Sequence, residues 1–215
     1  MGRARAIVAI CLGLAACTGG VSERRAPAPQ PPNRLTIDAP QTRVCLANLG
    51  QLARFEPLPD RDYGEGCYTF ASVRLTGTGI PVSNLGPMTC PLAATFAGWI
   101  RNAVIPAARL YLGADLARVD TFGSYSCRNI NGRQSGNRSE HATANAVDIS
   151  GFVLADGRRI TIKQDWDSPD PAVKSFLAAI HTSACRRFKT VLSPDYNALH
   201  ADHFHLDMGR GPFCR

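Results

Sequence analysis

The segment His200-Ala201-Asp202-His203-Phe204-His205-Leu206-Asp207 constrains the fold more than any other part of the chain. Alternate side chains of a β-strand share a face. A strand here sends Phe204 and Leu206 into a core and places His203, His205 and Asp207 together on the other face. Imidazoles on one face of a half-apolar strand are costly to bury unless something uses them. Neutral imidazole is also the commonest metal ligand in proteins. The chain has 5 His, and three of them fall in this segment.

A second segment supplies what the first lacks. His141 and Asp148 stand seven residues apart in Ser139-Glu140-His141-Ala142-Thr143-Ala144-Asn145-Ala146-Val147-Asp148, with mostly small side chains between them. Small residues permit a tight return that brings imidazole and carboxylate together. Two imidazoles and one carboxylate suit zinc, and three protein ligands leave a fourth position for water. Zinc in such a site acidifies water and polarises a carbonyl.

The flanks give the address. Arg3 and Arg5 precede a short apolar run ending Leu14-Ala15-Ala16-Cys17, the pattern of a secretory signal. Leu-Ala-Ala-Cys resembles the lipobox of bacterial lipoproteins, in which the Cys is lipidated; the alternative is ordinary cleavage with Cys17 as a bystander. The expected organisation is a signal over residues 1–17, a Pro-rich tether over 18–41 containing Pro27, Pro29, Pro31 and Pro32, and one domain over 42–215. The expected location is the periplasm, with a lipid anchor in an envelope membrane and the outer membrane as first choice. No later stretch approaches a transmembrane length.

An exported chain is expected to form disulfides. Of the 8 cysteines, Cys11 leaves with the signal and Cys17 is assigned to the lipid. The others are Cys45, Cys67, Cys90, Cys127, Cys185 and Cys214. The sequence does not choose among their pairings. Local staples Cys45–Cys67 and Cys185–Cys214, leaving Cys90–Cys127, are the first expectation. A Cys-based zinc site is disfavoured because no Cys-x-x-Cys pair occurs. The net charge of +7 is spread along the chain without aromatic interleaving, so nucleic acid is not an expected partner. No pattern names a protein partner.

Periodicity predicts a helix over Thr42–Phe55, a turn at Gly64–Cys67 and a strand over Tyr68–Leu75. A long helix is predicted over Cys90–Leu112, capped by Thr89 and kinked or broken at Pro106. Ala117–Phe122 and Ala146–Leu154 read as strands, with a hairpin at Asp156-Gly157. A helix capped by Asp170 runs to Phe188. Strands at Thr190–Leu192 and His203–Asp207 complete an α+β domain with a central antiparallel sheet and flanking helices, stapled by disulfides. His181 reads as a structural residue, and Trp99 and Trp166 as core.

His-x6-Asp followed far downstream by His-x-His resembles the LAS-type zinc peptidases: lysostaphin-like endopeptidases, D-alanyl-D-alanine peptidases and the hedgehog zinc fold. The nearest set is the extensin-like C-terminal proteins, through Ser139, His141, Ala146 and Asp148. His200, His203 and His205 resemble the His-x-x-His-x-His of penicillin-insensitive murein endopeptidases. Gly123-Ser124-Tyr125-Ser126-Cys127-Arg128 extends the likeness, which covers most of Cys45–Cys214.

The resemblance implies the LAS/hedgehog-like fold and one zinc ion (Zn2+) on His141, Asp148 and His205. It implies an amide hydrolase acting on peptidoglycan, as endopeptidase or D,D-carboxypeptidase. The alternative is an inactive zinc-containing wall-binding or structural lipoprotein. His203 is the expected general base and Asp202 its rival. Arg128 is expected to bind substrate or stabilise an oxyanion, or else to form a surface ion pair. His200 and Ser139 are expected to contact substrate or to steady the site. Ala144 stands where the pattern often has Gly, which costs about 1 kcal/mol if the backbone there needs positive φ.

Overall fold

The computed structural model describes Met1, Gly2 and residues 35–215. Cys17, the rest of the expected signal after Gly2, and most of the expected tether lie outside the described residues. The described chain opens with α1 (Pro40–Leu49), β1 (Arg54–Pro57), β2 (Arg61–Gly64), β3 (Cys67–Thr69), β4 (Ser72–Gly77) and β5 (Met88–Thr89). α2 (Cys90–Trp99) passes through a π segment (Ile100–Val104) into α3 (Ile105–Ala107) and a second π segment (Ala108–Leu112). There follow β6 (Leu116–Gly123), β7 (Ala146–Leu154), β8 (Arg159–Thr161), α4 (Ile162–Asp165) and α5 (Pro171–Cys185). β9 (Thr190–Leu192), β10 (Phe204–Asp207) and β11 (Phe213–Cys214) end the chain.

The expected α+β class is found. The largest sheet runs β11-β9-β10-β7-β6, with β8 also paired to β7. Its pairs are antiparallel except β11 on β9. A three-stranded sheet β1-β4-β5 and the β2–β3 hairpin complete the strands.

The two histidine segments form neighbouring strands. β10 pairs with β7 so that His205 stands opposite Asp148 and Leu206 opposite Val147. As alternation requires, Phe204 and Leu206 are fully buried in the core. Trp99 of α2 and Phe176 of α5 both meet the ring of Phe152 on β7. Trp99 is itself fully buried, and its indole N–H donates to the Ile180 carbonyl at 3.1 Å. Helices over one face of the sheet therefore fix β7 from behind. His181 packs against the ring of Phe204, in keeping with its structural reading, and Trp166 packs there too but only partly buried, at the edge of the core expected for it.

Several local expectations change. The helix expected over Thr42–Phe55 ends at Leu49, and Phe55 lies in β1. The stretch Tyr68–Leu75 divides into β3 and β4, because Ala71 takes φ 48° while its N–H donates to Asp60 Oδ1 at 2.8 Å. Pro106 does not break its helix. The turn before it widens to π geometry, with the Ile105 N–H reaching back to the Ile100 carbonyl. Such a wider turn relieves the crowding a proline ring imposes on the preceding turn. Thr89 does not cap α2; its hydroxyl instead donates to Asn145 Oδ1 at 2.9 Å, tying the helix start to the His141 loop. Asp170 does cap α5, accepting from the Ala172 N–H at 2.8 Å, and Gly157 turns the β7–β8 hairpin with φ 89°.

Two disulfide pairings are corrected. The bonds are Cys45–Cys90, Cys67–Cys127 and Cys185–Cys214. Of the expected three, Cys45–Cys67 and Cys90–Cys127 are absent and Cys185–Cys214 is present. Nearness in sequence misled because α1 packs beside α2, which puts Cys45 against Cys90 across 45 residues. Cys67 leads out of the β2–β3 turn and meets the loop after β6. That bond, with Arg138 Nε donating to the Glu65 carbonyl at 2.7 Å, fastens the hairpin to the chain that carries Arg128.

Candidate metal centre

The loop before β7 is shaped by its own backbone. Ser139 Oγ accepts from the His141 N–H at 3.4 Å and starts a 3-10 turn over Glu140–Thr143. Ala144 ends the turn in the left-handed region, at φ 55° and ψ 29°. It is fully buried, and its carbonyl accepts from the Thr89 N–H at 2.8 Å. The positive φ foreseen for a glycine is therefore present and carried by alanine. Asn145 reinforces the return, with its amide donating to Glu140 Oε2 at 2.7 Å and its carbonyl accepting from the Met208 N–H at 3.2 Å.

That return brings three atoms able to ligate a metal to one point. His141 Nε2 lies 3.1 Å from Asp148 Oδ1 and 3.2 Å from His205 Nδ1. His205 Nδ1 lies 2.9 Å from the same Asp148 oxygen. All three residues are buried. Ligands about 2.0–2.1 Å from a tetrahedral ion stand roughly 3.3 Å apart, so the spacing fits a small divalent cation. The donor set of two imidazoles and one carboxylate fits zinc chemistry.

The surroundings favour positive charge there. His205 Nε2 lies 3.0 Å from Asp207 Oδ2, whose other oxygen accepts from the Gly209 N–H at 2.8 Å. A carboxylate behind a histidine fixes its tautomer and orients its free nitrogen toward a metal. Burial alone would lower the His205 pKa, but its hydrogen bonds to Asp148 and Asp207 outweigh this and push it up to about 9. Burial likewise opposes ionisation of Asp148, yet His141 and His205 hold its carboxyl well below the ordinary range.

The other expected residues gather around this cluster. His203 precedes β10, and its Nε2 lies 3.6 Å from Asp148 Oδ1. Its Nδ1 is 2.9 Å from Asp202 Oδ1. β10 begins only at Phe204, so strand alternation does not govern Asp202, which turns onto the imidazole beside it. Arg128 Nη2 stands 3.7 Å from Asp148 Oδ2, with the Arg128 side chain 38% exposed. His200 Nδ1 lies 2.8 Å from Asn197 Oδ1, and its ring meets those of His203 and His205. Burial and the neighbouring imidazoles bring the His200 pKa down to about 4, so it is neutral near pH 7. Arg128, Ser139, His200, His205 and Asp207 help line a cavity of about 200 Å3.

Sequence reasoning placed Asp207 on the right face without giving it a role; its spacing two residues beyond His205 was the signal. It did not foresee Asn197 behind His200 or the ring of Phe122 against His203. A second group, His181 with Cys185 and Cys214, offers little to a metal, because its two sulfurs are joined in a disulfide. A larger cavity of about 540 Å3 between Arg54, Arg74 and Val82 shares no lining residue with the histidine cleft.

Comparison with curated proteins and with solved structures returned no match. A protein family does match: the one described as Extensin-like protein C-terminus, over residues 43–215, the stretch that holds every residue of the cluster. The chain belongs to this extensin-like C-terminal family.

Proposed function

We propose that the chain is a zinc-dependent hydrolase that cleaves an amide bond in the peptides of peptidoglycan, as an endopeptidase or D,D-carboxypeptidase. The observation that carries this reading is the convergence of His141 Nε2, Asp148 Oδ1 and His205 Nδ1 within 3.2 Å of one another. His203 opens onto the same point. The likeness to LAS-type peptidases supports the reading through His141, Asp148, His203 and His205.

His141, Asp148 and His205 would hold the ion. Zinc bound there supplies a Lewis acid that polarises the scissile carbonyl and acidifies water. His203 is the general base. With its Nδ1–H given to Asp202, Nε2 is left free to take a proton from the attacking water and return it to the departing amide nitrogen. Asp202 thereby orients the base and is not the base itself. Arg128, beside Asp148 and partly exposed, faces the charge that develops on the carbonyl oxygen or on a substrate carboxylate. Ser139 and His200 stiffen the loop and the cleft wall. Lipidation at Cys17 would hold the domain at the periplasmic face of an envelope membrane, in reach of a polymer that does not diffuse.

The test is mass spectrometry of peptide fragments released from purified sacculi. Zinc-loaded protein should release them. Chelation or His205→Ala should stop release, and zinc should restore the chelated protein. No release from any sacculus or muropeptide, together with stoichiometric zinc, would instead favour a wall-binding domain without hydrolysis.

A further inference from the structure

Five rings follow one another past the histidine cluster: Phe122, His203, His200, Tyr196 and Phe213. Successive centroids are 5.8, 5.1, 5.4 and 5.6 Å apart, all tilted or edge-on. Of the two imidazoles, His200 lines the cavity at the cluster and His203 Nε2 lies 3.6 Å from Asp148 Oδ1. The ends of the row stand in solvent, with Phe122 54%, Tyr196 42% and Phe213 44% exposed. Singly exposed apolar residues are ordinary, but aromatic rings gathered in one row beside a cleft offer a surface for something else to lie against. The three exposed rings come from β6, the loop after β9, and β11, so separate parts of the fold bring them to one row.

We infer that this row is a saccharide subsite, in which sugar rings of the peptidoglycan glycan chain lie with their C–H faces on Phe122 at one end and on Tyr196 and Phe213 at the other. The inference deepens the proposed function and rests on it for the identity of the polymer. Two features favour a sugar over a second copy of this chain or an apolar peptide. First, the row is not a continuous dry surface. Imidazoles interrupt it, the half-exposed Asp202 borders it at His203, and the half-exposed Arg128 lines the same cavity as His200. A pyranose has the matching character, an apolar face with hydroxyls around its edge. Second, His203 and His200 belong both to the row and to the cluster, so its occupant also reaches the cluster. In peptidoglycan, sugar and amide-linked peptide are one covalent molecule, and the acidic groups of that peptide complement Arg128.

Calorimetric titration with peptide-free glycan chains, prepared from sacculi by amidase digestion, tests this. The protein should bind the chains. Phe122→Ala and Tyr196→Ala should each weaken binding several-fold, up to about tenfold, while Tyr196→Phe keeps most of it. Unchanged zinc content and melting temperature would show that the variants are folded. No binding by the wild-type protein, or equal binding by both alanine variants, overturns the inference. So does a concentration-dependent dimer that Phe122→Ala abolishes, since the row would then be a self-association surface. Glycan binding that responds to these substitutions, with no bond in sacculi ever cut, would leave the subsite standing and remove the hydrolase.

Discussion

His205 stands directly opposite Asp148 across the β7–β10 pair, with its Nδ1 2.9 Å from the Asp148 carboxylate. Two residues 57 apart in sequence thus owe their meeting to strand register. A slip of one residue would turn one of them to the other face of the sheet. The buried pair Phe204 and Leu206 fixes that register from the core side, so the centre is built by the same alternation that builds the core.

Asp207 holds the far nitrogen of His205 at 3.0 Å. Asp207→Asn should lower zinc affinity about 10–100-fold, the usual cost of losing a carboxylate behind a metal-bound histidine. Competition with a chromophoric chelator measures this. Affinity equal to wild type would mean that Asp207 only satisfies the Gly209 N–H.

His203→Ala should reduce the rate of peptide release by about 10²–10⁴-fold, the range typical of a general base, while zinc stays bound. Asp202→Asn should reduce it less, because the imidazole remains and only its orienting partner is weakened. Single-turnover assays on a defined muropeptide separate the two. A larger loss at Asp202 than at His203 would exchange their roles.

Ala144 adopts φ 55° while fully buried. Ala144→Gly relieves about 1–2 kcal/mol of left-handed strain. It also gives up roughly 0.8 kcal/mol of methyl burial and adds about 0.4–1 kcal/mol of unfolded-state entropy. The expected net change is within about 1 kcal/mol of zero. Ala144→Val keeps the strain and adds branching in a filled space, and should destabilise by about 2 kcal/mol or more. Urea unfolding reads both. A large gain for glycine would mean that the methyl contributes nothing.

Asp120 links β6 to its surroundings through Arg118 at 2.7 Å, Arg159 at 2.9 Å and the Ser83 hydroxyl at 3.1 Å. Burial alone would raise its pKa; the hydrogen bonds from Arg118 and Ser83 and the charges of Arg118 and Arg159 outweigh that and hold it low. A depressed carboxyl stabilises the fold above its unfolded pKa of about 3.9, and the stabilisation is lost as pH falls through the lower folded value. Asp120→Asn should therefore be less stable than wild type at pH 7, with the gap closing below about pH 4. A gap independent of pH would show that Asp120 acts through packing alone.

The parts of the centre legible in the sequence were those set by short-range rules. Alternation in His203–Asp207 and small residues between His141 and Asp148 announced two strands and a tight return. Asp156-Gly157 and Asp170 announced a hairpin and a cap through backbone chemistry that needs no tertiary context. What escaped depends on neighbours distant in sequence. Cys45 meets Cys90 only because two helices pack together. Thr89 leaves its own helix start for Asn145 because the His141 loop lies against it. Pro106 is accommodated by a widened turn that propensity does not foresee. Asp202 is the rival base through its place three residues before His205, where the resemblance puts a carboxylate; that it turns onto His203 depends on where β10 begins.

Metal content after zinc loading and desalting tests the central claim most directly. The arrangement of His141, Asp148 and His205 predicts one zinc per chain in the wild-type protein, and loss of that zinc in His141→Ala, Asp148→Ala and His205→Ala. Wild-type protein that retains no zinc, or variants that all retain it in full, would contradict a metal centre at these residues.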